Sequence, residues 1–596
     1  MRKIFTLFCV VLTTIFSAQA DNATFSWSLK GGNTAADRSA DVVVDANGNV
    51  FTANYFANTT KFNGVALTGS PANKDGNYDN NLFVSKISPA QTTLWHIYSN
   101  VGVVTPMAIT TTPSGDLIVT GTIRDLAKGT AGNANIIDAA GTITSFTGLN
   151  NSSVQSFVAK FNASGIIQWV KEFNSSATKD KAVTTNALAA DANGDVYLTG
   201  IYTTSVILPA AIPITLTSTN TTQAAFIAKL NGSTGDNIWS KTSTGLIASE
   251  ILQGLAYGDD GYLYAAGDYK NVTTPIAITI GGKTFTPSVG ADLTLIKLDT
   301  DGNIIYIQER PSVTGTTIRD VRVKDIAVKS GKVFVGGSFY GDFGGILFSD
   351  AALTSSSSYL NGFLATFNSS TGSDLWHKGI FSPAIAEVDG LTIGNDNNLF
   401  AFGYYYNKIG TAAAGDADFG NGFKLTDASN NSGDLFLSSY NVTTGVTLGV
   451  HLVGKGATFE TANSLTSFGS NLYLLGSSNS ATLTFEDAST YSTVGGYDFF
   501  LVDYTVVNPP TGVITSEASK LPFSYADHSN HLIVVKNAGN VRNARIIDTM
   551  GRSIKTASNS NNDVLNINAQ GIAAGVYILQ LTTSNSQITS QRLIIQ

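Results

Sequence analysis

The sequence predicts an all-β chain: a seven-bladed β-propeller followed by a small immunoglobulin-like β-sandwich. Three observations predict it. A tryptophan-centred segment returns roughly every 70 residues. Short alternating runs rich in Val, Phe, Tyr and Thr lie between turn residues, as strands do. The beat then breaks at Pro509-Pro510-Thr511-Gly512, and a different set of short strands follows. Composition agrees. Charged residues make up 13% of the 596, against ~25% in ordinary globular chains, while aromatics reach 10%. Such a chain buries a large core and is not disordered. Its net charge of −8 argues against a nucleic-acid partner.

The chain opens on a segment with the marks of a secretory signal, residues 1–20. Arg2 and Lys3 precede an apolar stretch from Ile4 to Phe16, and Ala18-Gln19-Ala20 supplies a small-residue cleavage site. Cleavage is expected after Ala20. The run is short for a bilayer span of ~20 residues, and no later run predicts a membrane span. The single cysteine, Cys9, lies in this segment. The mature chain therefore has no disulfide, thiolate nucleophile or cysteine-bound metal.

The propeller is expected over 21–508. Trp27, Trp95, Trp169, Trp239 and Trp376 mark the beat, Tyr306 stands where a Trp is missing, and Gly449 falls one period past Trp376. A turn and an apolar-aromatic pair keep the same spacing, as in Asp45-Ala46-Asn47-Gly48-Asn49-Val50-Phe51 and again from Asp191 to Tyr197. A third landmark, Phe83-Val84-Ser85-Lys86-Ile87, recurs at Phe157 to Phe161 and Phe226 to Leu230. Four strands in each of seven repeats is the pattern of a propeller, which leaves only short protected edges. The Trp is expected to fill the space between neighbouring blades. The first Trp strand, Phe25 to Leu29, has no blade before it and is expected to complete the seventh.

The repeat resembles the bacterial SBBP-type β-propeller repeat, through Gly31-Gly32, Asp45, Gly48 to Phe51 and Phe83 to Lys86, and in the third repeat through Asp191 to Gly200 and Phe226 to Lys229. The resemblance implies a fold and no reaction.

After a linker at 509–520, residues 521–596 read as a small sandwich. This block resembles the type A C-terminal sorting domain of cargo for the Bacteroidota type IX secretion system. The carrying residues are Ala544 to Arg552, Leu565-Asn566-Ile567, Gly571 to Leu581 and a last strand at Arg592 to Ile595. The resemblance assigns the sorting signal to Asp548, Gly551, Arg552, Gly575 and Tyr577. It implies the type IX translocon as partner, and a secreted protein that is held at the cell surface or outer membrane, or released.

Chemistry is sparse. His96 and His377 follow Trp residues and ride on the repeat. No H-E-x-x-H, zinc spacing or G-x-S-x-G elbow occurs, so no catalytic residue and no metal ligand is assigned. Calcium at the Asp turns is the one cofactor considered. An EF-hand loop needs Gly at its sixth position and Glu at its twelfth; here Gly is fourth, so these read as hairpin turns. Glu172, Glu250, Glu309, Glu387 and Glu460 stand outside the repeat but form no motif. Five aromatics near the end of the second strand, Tyr55, Tyr202, Tyr269, Phe339 and Tyr405, are the ligand-binding candidates, with blade packing as their other reading. The irregular stretches 73–81, 125–150 and 410–433 are candidate binding loops. The expected function is a non-enzymatic secreted or cell-surface binding protein with a glycan or protein ligand. A polysaccharide-degrading glycosidase or lyase on the propeller, and a structural adhesion component, are the alternatives. Enzymatic activity is left open.

Overall fold

In the computed structural model the chain divides into two compact units, residues 1–507 and 508–596. The structure describes residues 23–595 except 34, 71–79, 125–131, 150–152, 177–178, 180, 219–222, 245–248, 272–276, 288–289, 312–320, 341–344, 355–358, 409–414, 427–431, 507–522, 528–530, 537, 549–551, 560–561 and 584–587. The expected signal segment with its cleavage point, the linker at 509–520, Gly551, most of 73–81 and parts of 125–150 and 410–433 lie outside the described residues. Among the described residues every element is a strand, apart from a 3-10 turn at Ala538–Asn540. The chain is all-β.

Among the described residues the first unit contains seven antiparallel sheets that share a core of four strands; four of them are extended to six, and three two-stranded hairpins stand beside them. Sheet I is Arg38–Val44, Val50–Phe56, Asn81–Ile87 and Thr93–Tyr98. Sheets II to VI repeat this order, with innermost strands Val103–Thr111, Val183–Ala190, Ser249–Tyr257, Val321–Lys329 and Ile385–Ile393. Sheet VII is Glu460–Phe468, Asn471–Ser478 and Asp498–Val506, completed by the N-terminal strand Ala23–Gly31. That strand runs antiparallel to Asp498–Val506, with Phe25 opposite Tyr504 and Leu29 opposite Leu501. Each innermost strand touches that of the next sheet, and the seventh returns to the first, which closes the cycle.

The core is partitioned in the same way. Seven hydrophobic clusters each span one pair of neighbouring sheets. Polar clamps reinforce the junctions. Trp95 Nε1 donates to Ala163 O of sheet II at 3.0 Å, and Lys86 Nζ donates to the same oxygen at 3.2 Å. Lys86 also pairs with Asp45 of its own turn at 3.1 Å. Trp169 and Lys160 share Gly232 O in the same way, and Tyr306 and Lys297 share Ser369 O. Tyr306 thus fills the role of the missing Trp.

The segment between the second and third strands of a repeat forms a hairpin that reaches back to the preceding sheet. Thr59–Phe62 and Val65–Thr68 add to sheet VII, and Gly132–Ile137 and Ile143–Leu149 add to sheet I. The hairpins of repeats IV and VII likewise extend sheets III and VI. They cover outer strand edges that would otherwise present unpaired N–H and C=O groups. The described parts of these variable segments are therefore edge covers first.

The second unit has two antiparallel sheets. One is Phe523–Asp527, Leu532–Lys536 and Val564–Asn568; the other is Ser553–Ser558, Val541–Ile547, Gly575–Thr583 and Ile588–Ile595. Both contribute to one core that includes Ile533, Val535, Ile546, Leu565, Leu579 and Leu593.

Candidate binding cavity

All seven innermost strands carry a β-bulge at the same place. The pairing register slips between Ser39 and Asp41, Pro106 and Ala108, Thr185 and Ala187, Leu252 and Gly254, Val323 and Asp325, Val388 and Gly390, and Ala462 and Ser464. A bulge leaves one residue outside the ladder and re-aims its side chain. The skipped residues are Ala40, Met107, Asn186, Gln253, Lys324, Asp389 and Asn463, and all seven line one cavity of 410 Å³. Ligand cavities commonly run from ~300 to 1,000 Å³.

The lining is asymmetric. Sheets I and II contribute Ala40 and Met107, joined by Tyr55 and Pro106; sheets III to VII contribute two amides, a Lys–Asp pair and a third amide. The charged corner is built across the junction of sheets V and VI. Lys324 Nζ lies 2.5 Å from Glu387 Oε1 and 3.5 Å from Asp389 Oδ1. Tyr404 donates its hydroxyl to Glu387 Oε2 at 3.0 Å. Burial works against the Lys324 ammonium, but Asp389 and Glu387 outweigh it and hold its pKa above the ordinary value. Burial pushes Asp389 up to about 8, with Lys324 opposing.

The residue after each bulge serves the ring itself. Asp41 accepts Ile109 N–H of sheet II at 2.8 Å and Ser464 Oγ–H of sheet VII at 2.7 Å, so one carboxyl joins three sheets. Asp325 accepts Leu391 N–H of sheet VI at 2.7 Å. Burial raises Asp41 to about 6 and Asp325 to about 7, despite these donors. At Gly390 the same place has no room for a side chain, since a Cβ would lie 2.7 Å from Leu465 N.

The sequence-predicted aromatics separate into two groups. Tyr202, Tyr269, Phe339 and Tyr405 are buried at 0–1% exposure. They pack on their own repeat's insertion, as Tyr269 does edge-on against Phe285 at 5.2 Å. Tyr55 is half-buried and lines the cavity. It is not their structural equivalent. Asn54 opposes Phe83 as Gly200 opposes Phe226, so the counterpart of Tyr202 is Phe56, buried against Phe62 and Leu67. Side chains alternate along a strand, and the one-residue offset puts Tyr55 on another face. The bulged residues leave no periodic signal in the sequence, because no residue type returns from one repeat to the next.

The other candidates lie apart. Glu172 pairs with Lys179 at 2.7 Å, and Glu460, fully buried, accepts Ser478 Oγ–H at 3.0 Å. Glu309 is raised to about 7, chiefly by burial. The side chain of Glu250 lies outside those described. In the Asp45 turn, Oδ1 accepts Asn47 N–H at 2.9 Å and Asn49 N–H at 3.0 Å, and Oδ2 meets Lys86. The Asp191 and Asp299 turns hold their carboxylates in the same way. No group of three or more His, Cys, Asp or Glu converges as a metal site among the described residues. In the second unit, Arg552 Nε pairs with Asp548 Oδ2 at 2.7 Å, and Tyr577 donates its hydroxyl to Ala573 O at 2.8 Å. Gly575 opens a strand, opposite Ile595. No helix among the described residues is long and apolar enough to cross a membrane.

Residues 528–596 match the family model of the secretion system C-terminal sorting domain. A type IX sorting domain, of the family that the translocon recognises, is present, and the chain is a secreted or surface protein that bears it. No curated protein matches the chain. Among solved structures it is similar to the polysaccharide lyase Uly1, with 8% identity and TM-score 0.39 over 81% of this chain and 100% of that one. It is similar to the quinohemoprotein alcohol dehydrogenase ADHIIG from Pseudomonas putida HK5, with 10% identity and TM-score 0.35 over 83% and 77% of the two chains. PorZ, a surface component of the type-IX secretion system of Porphyromonas gingivalis, aligns at 10% identity and TM-score 0.13 over 96% of this chain and 100% of that one. None of these likenesses carries an activity to this chain.

Proposed function

We propose that the chain is a non-enzymatic binding protein, exported through the type IX system and displayed on the cell surface or released, with a seven-bladed β-propeller of the SBBP kind as its platform. On this reading residues 1–20 are removed after Ala20, 21–508 form the ring, 509–520 link it to the sorting domain, and 521–596 form an immunoglobulin-like sandwich. Asp548, Gly551, Arg552, Gly575 and Tyr577 belong to the sorting signal. The ligand is a glycan or a protein segment whose end enters the central cavity.

The observation that supports binding is the seven-fold bulge, which aims one side chain from every sheet into a single cavity. Apolar surface at Met107 and Tyr55 shares the cavity with amides at Asn186, Gln253 and Asn463. That suits a ligand with one apolar face and several hydroxyl or amide groups, as a sugar ring has. The lining carboxyls Asp41 and Asp325 are engaged by backbone N–H groups, and Asp389 sits beside Lys324. This favours binding over the glycosidase or lyase alternative. A glycan-array screen of the mature chain tests the proposal. Selective binding that weakens at least tenfold in Asn186→Ala, Gln253→Ala and Asn463→Ala supports it. Binding unchanged in all three, or substrate cleavage, removes it.

A further inference from the structure

Sheets VII and I meet where the N-terminal strand ends, and there two carboxyl groups are buried side by side. Asp37 is 0% exposed and Asp498 is 1% exposed. Asp37 Oδ1 accepts Ala57 N–H at 3.2 Å, and Asp498 Oδ2 accepts Val494 N–H at 2.8 Å. Their other oxygens, Asp37 Oδ2 and Asp498 Oδ1, are buried without a hydrogen bond of good geometry, and the Tyr491 hydroxyl lies beside Asp498. Thr60 Oγ1, buried beside Asp37 but outside bonding geometry, is in the same position. The Asn33 backbone N–H lies against both carboxyls, which places them within reach of one centre. Neither carboxyl has an ion-pair partner among the described residues. The nearby Lys30 ammonium instead sits 5.0 Å from the centre of the Tyr491 ring. Ionised carboxylates are rarely buried without a compensating charge.

We propose that Asp37 Oδ2, Asp498 Oδ1 and Thr60 Oγ1 are ligands of a calcium ion. The donors are all oxygen, as a hard cation requires, and two carboxylates match a double positive charge. They come from three separate segments, and calcium accepts varied oxygen donor sets where magnesium demands a strict octahedron. The ion sits away from the Asp turns, whose carboxylates are already occupied. It ties the start of sheet I, the covering hairpin and the third strand of sheet VII at the point where the ring closes.

The test uses the full mature chain, stripped with EDTA and then titrated with CaCl₂ at constant ionic strength. Calcium should raise the melting temperature saturably by a few degrees, EDTA should reverse the rise, and equal magnesium should not reproduce it. Terbium at the same site should luminesce on tyrosine excitation, because Tyr491 adjoins Asp498, and calcium should quench that signal by displacement. Asp37→Asn and Asp498→Asn should abolish both responses, yet melt no lower than the parent in EDTA, because an unpaired buried carboxylate has gone. No calcium shift and no terbium signal in the parent chain would overturn the assignment, whether or not the variants fold. So would an equal shift with magnesium, or a calcium response retained in Asp498→Asn.

Discussion

The indole of Trp95 lies where a side chain on Gly165 would have to go: a Cβ there would fall 2.8 Å from Trp95 Cδ2. Gly165 sits in the next sheet's turn at φ +78°, two residues from the carbonyl that Trp95 bonds. The pair recurs as Trp169 with Gly235, Trp239 with Gly302 and Trp376 with Gly445. Turn glycine and tryptophan are thus two halves of one joint between neighbouring sheets.

Gly165→Ala is expected to lose about 2–4 kcal/mol, from left-handed strain of roughly 1 and overpacking of about 1–3. Gly141→Ala is the control: its φ is +83° but nothing lies within 4 Å, so only the strain remains. Urea unfolding of both variants checks this. Equal losses would mean that the Trp contact contributes nothing.

Lys86→Met should be more damaging than Lys160→Met. The Lys86 and Asp45 side chains are 6% and 1% exposed, against 13% and 19% for Lys160 and Asp116. Breaking a buried pair from one side costs about 3–5 kcal/mol, and partial exposure discounts that figure. Chemical denaturation of the two variants, with Asp45→Asn added to close a double-mutant cycle, reads the difference.

Stability should fall as pH rises from about 4 to about 8. Burial lifts Asp41 to about 6 and Asp325 to about 7, above the unfolded 3.8, so across this window the folded ring holds protons that the unfolded chain has released. Asp389, at about 8, and Asp503, at about 7, act in the same direction. Asp325→Asn should flatten the slope between pH 5 and 7. Unfolding curves at three pH values in EDTA decide the sign; stability that rises from pH 5 to 8 would contradict it.

Deleting 513–596 should leave the ring in the periplasm, since the sorting domain matches at 528–596. Cell fractionation with an antibody to the ring measures this. Undiminished surface display would separate export from the domain.

The sheets were legible in the sequence and the cavity was not, for one physical reason. Trp95 and Lys86 meet the same carbonyl geometry in successive sheets, so similar residues return at a fixed period. Tyr306 could be read as a Trp surrogate because it too reaches a carbonyl of the next sheet. The bulged residues line a shared space and contact no repeated carbonyl, so nothing in the packing keeps their types alike; Ala40, Lys324 and Asn463 leave no common signal. The recurrent aromatics were visible because burial keeps them alike, as Tyr202 and Tyr269 show. Tyr55 stands one residue out of step with these aromatics, and it lines the cavity.

The first strand of the chain is the last piece of the seventh sheet, with Phe25 opposite Tyr504. Until Asp498–Val506 has been made, Ala23–Gly31 has only the bridge from Gly31 to Phe62 of the covering hairpin and lacks its main ladder. A growing chain therefore carries this strand without its main partner until residue 506 has been made. The gap between the two ends is as wide in sequence as the unit allows, and contacts so remote in sequence form slowly. A circular permutant with 23–31 moved behind Val506 makes the two partners consecutive in sequence and should fold faster than the parent, as stopped-flow refolding would show.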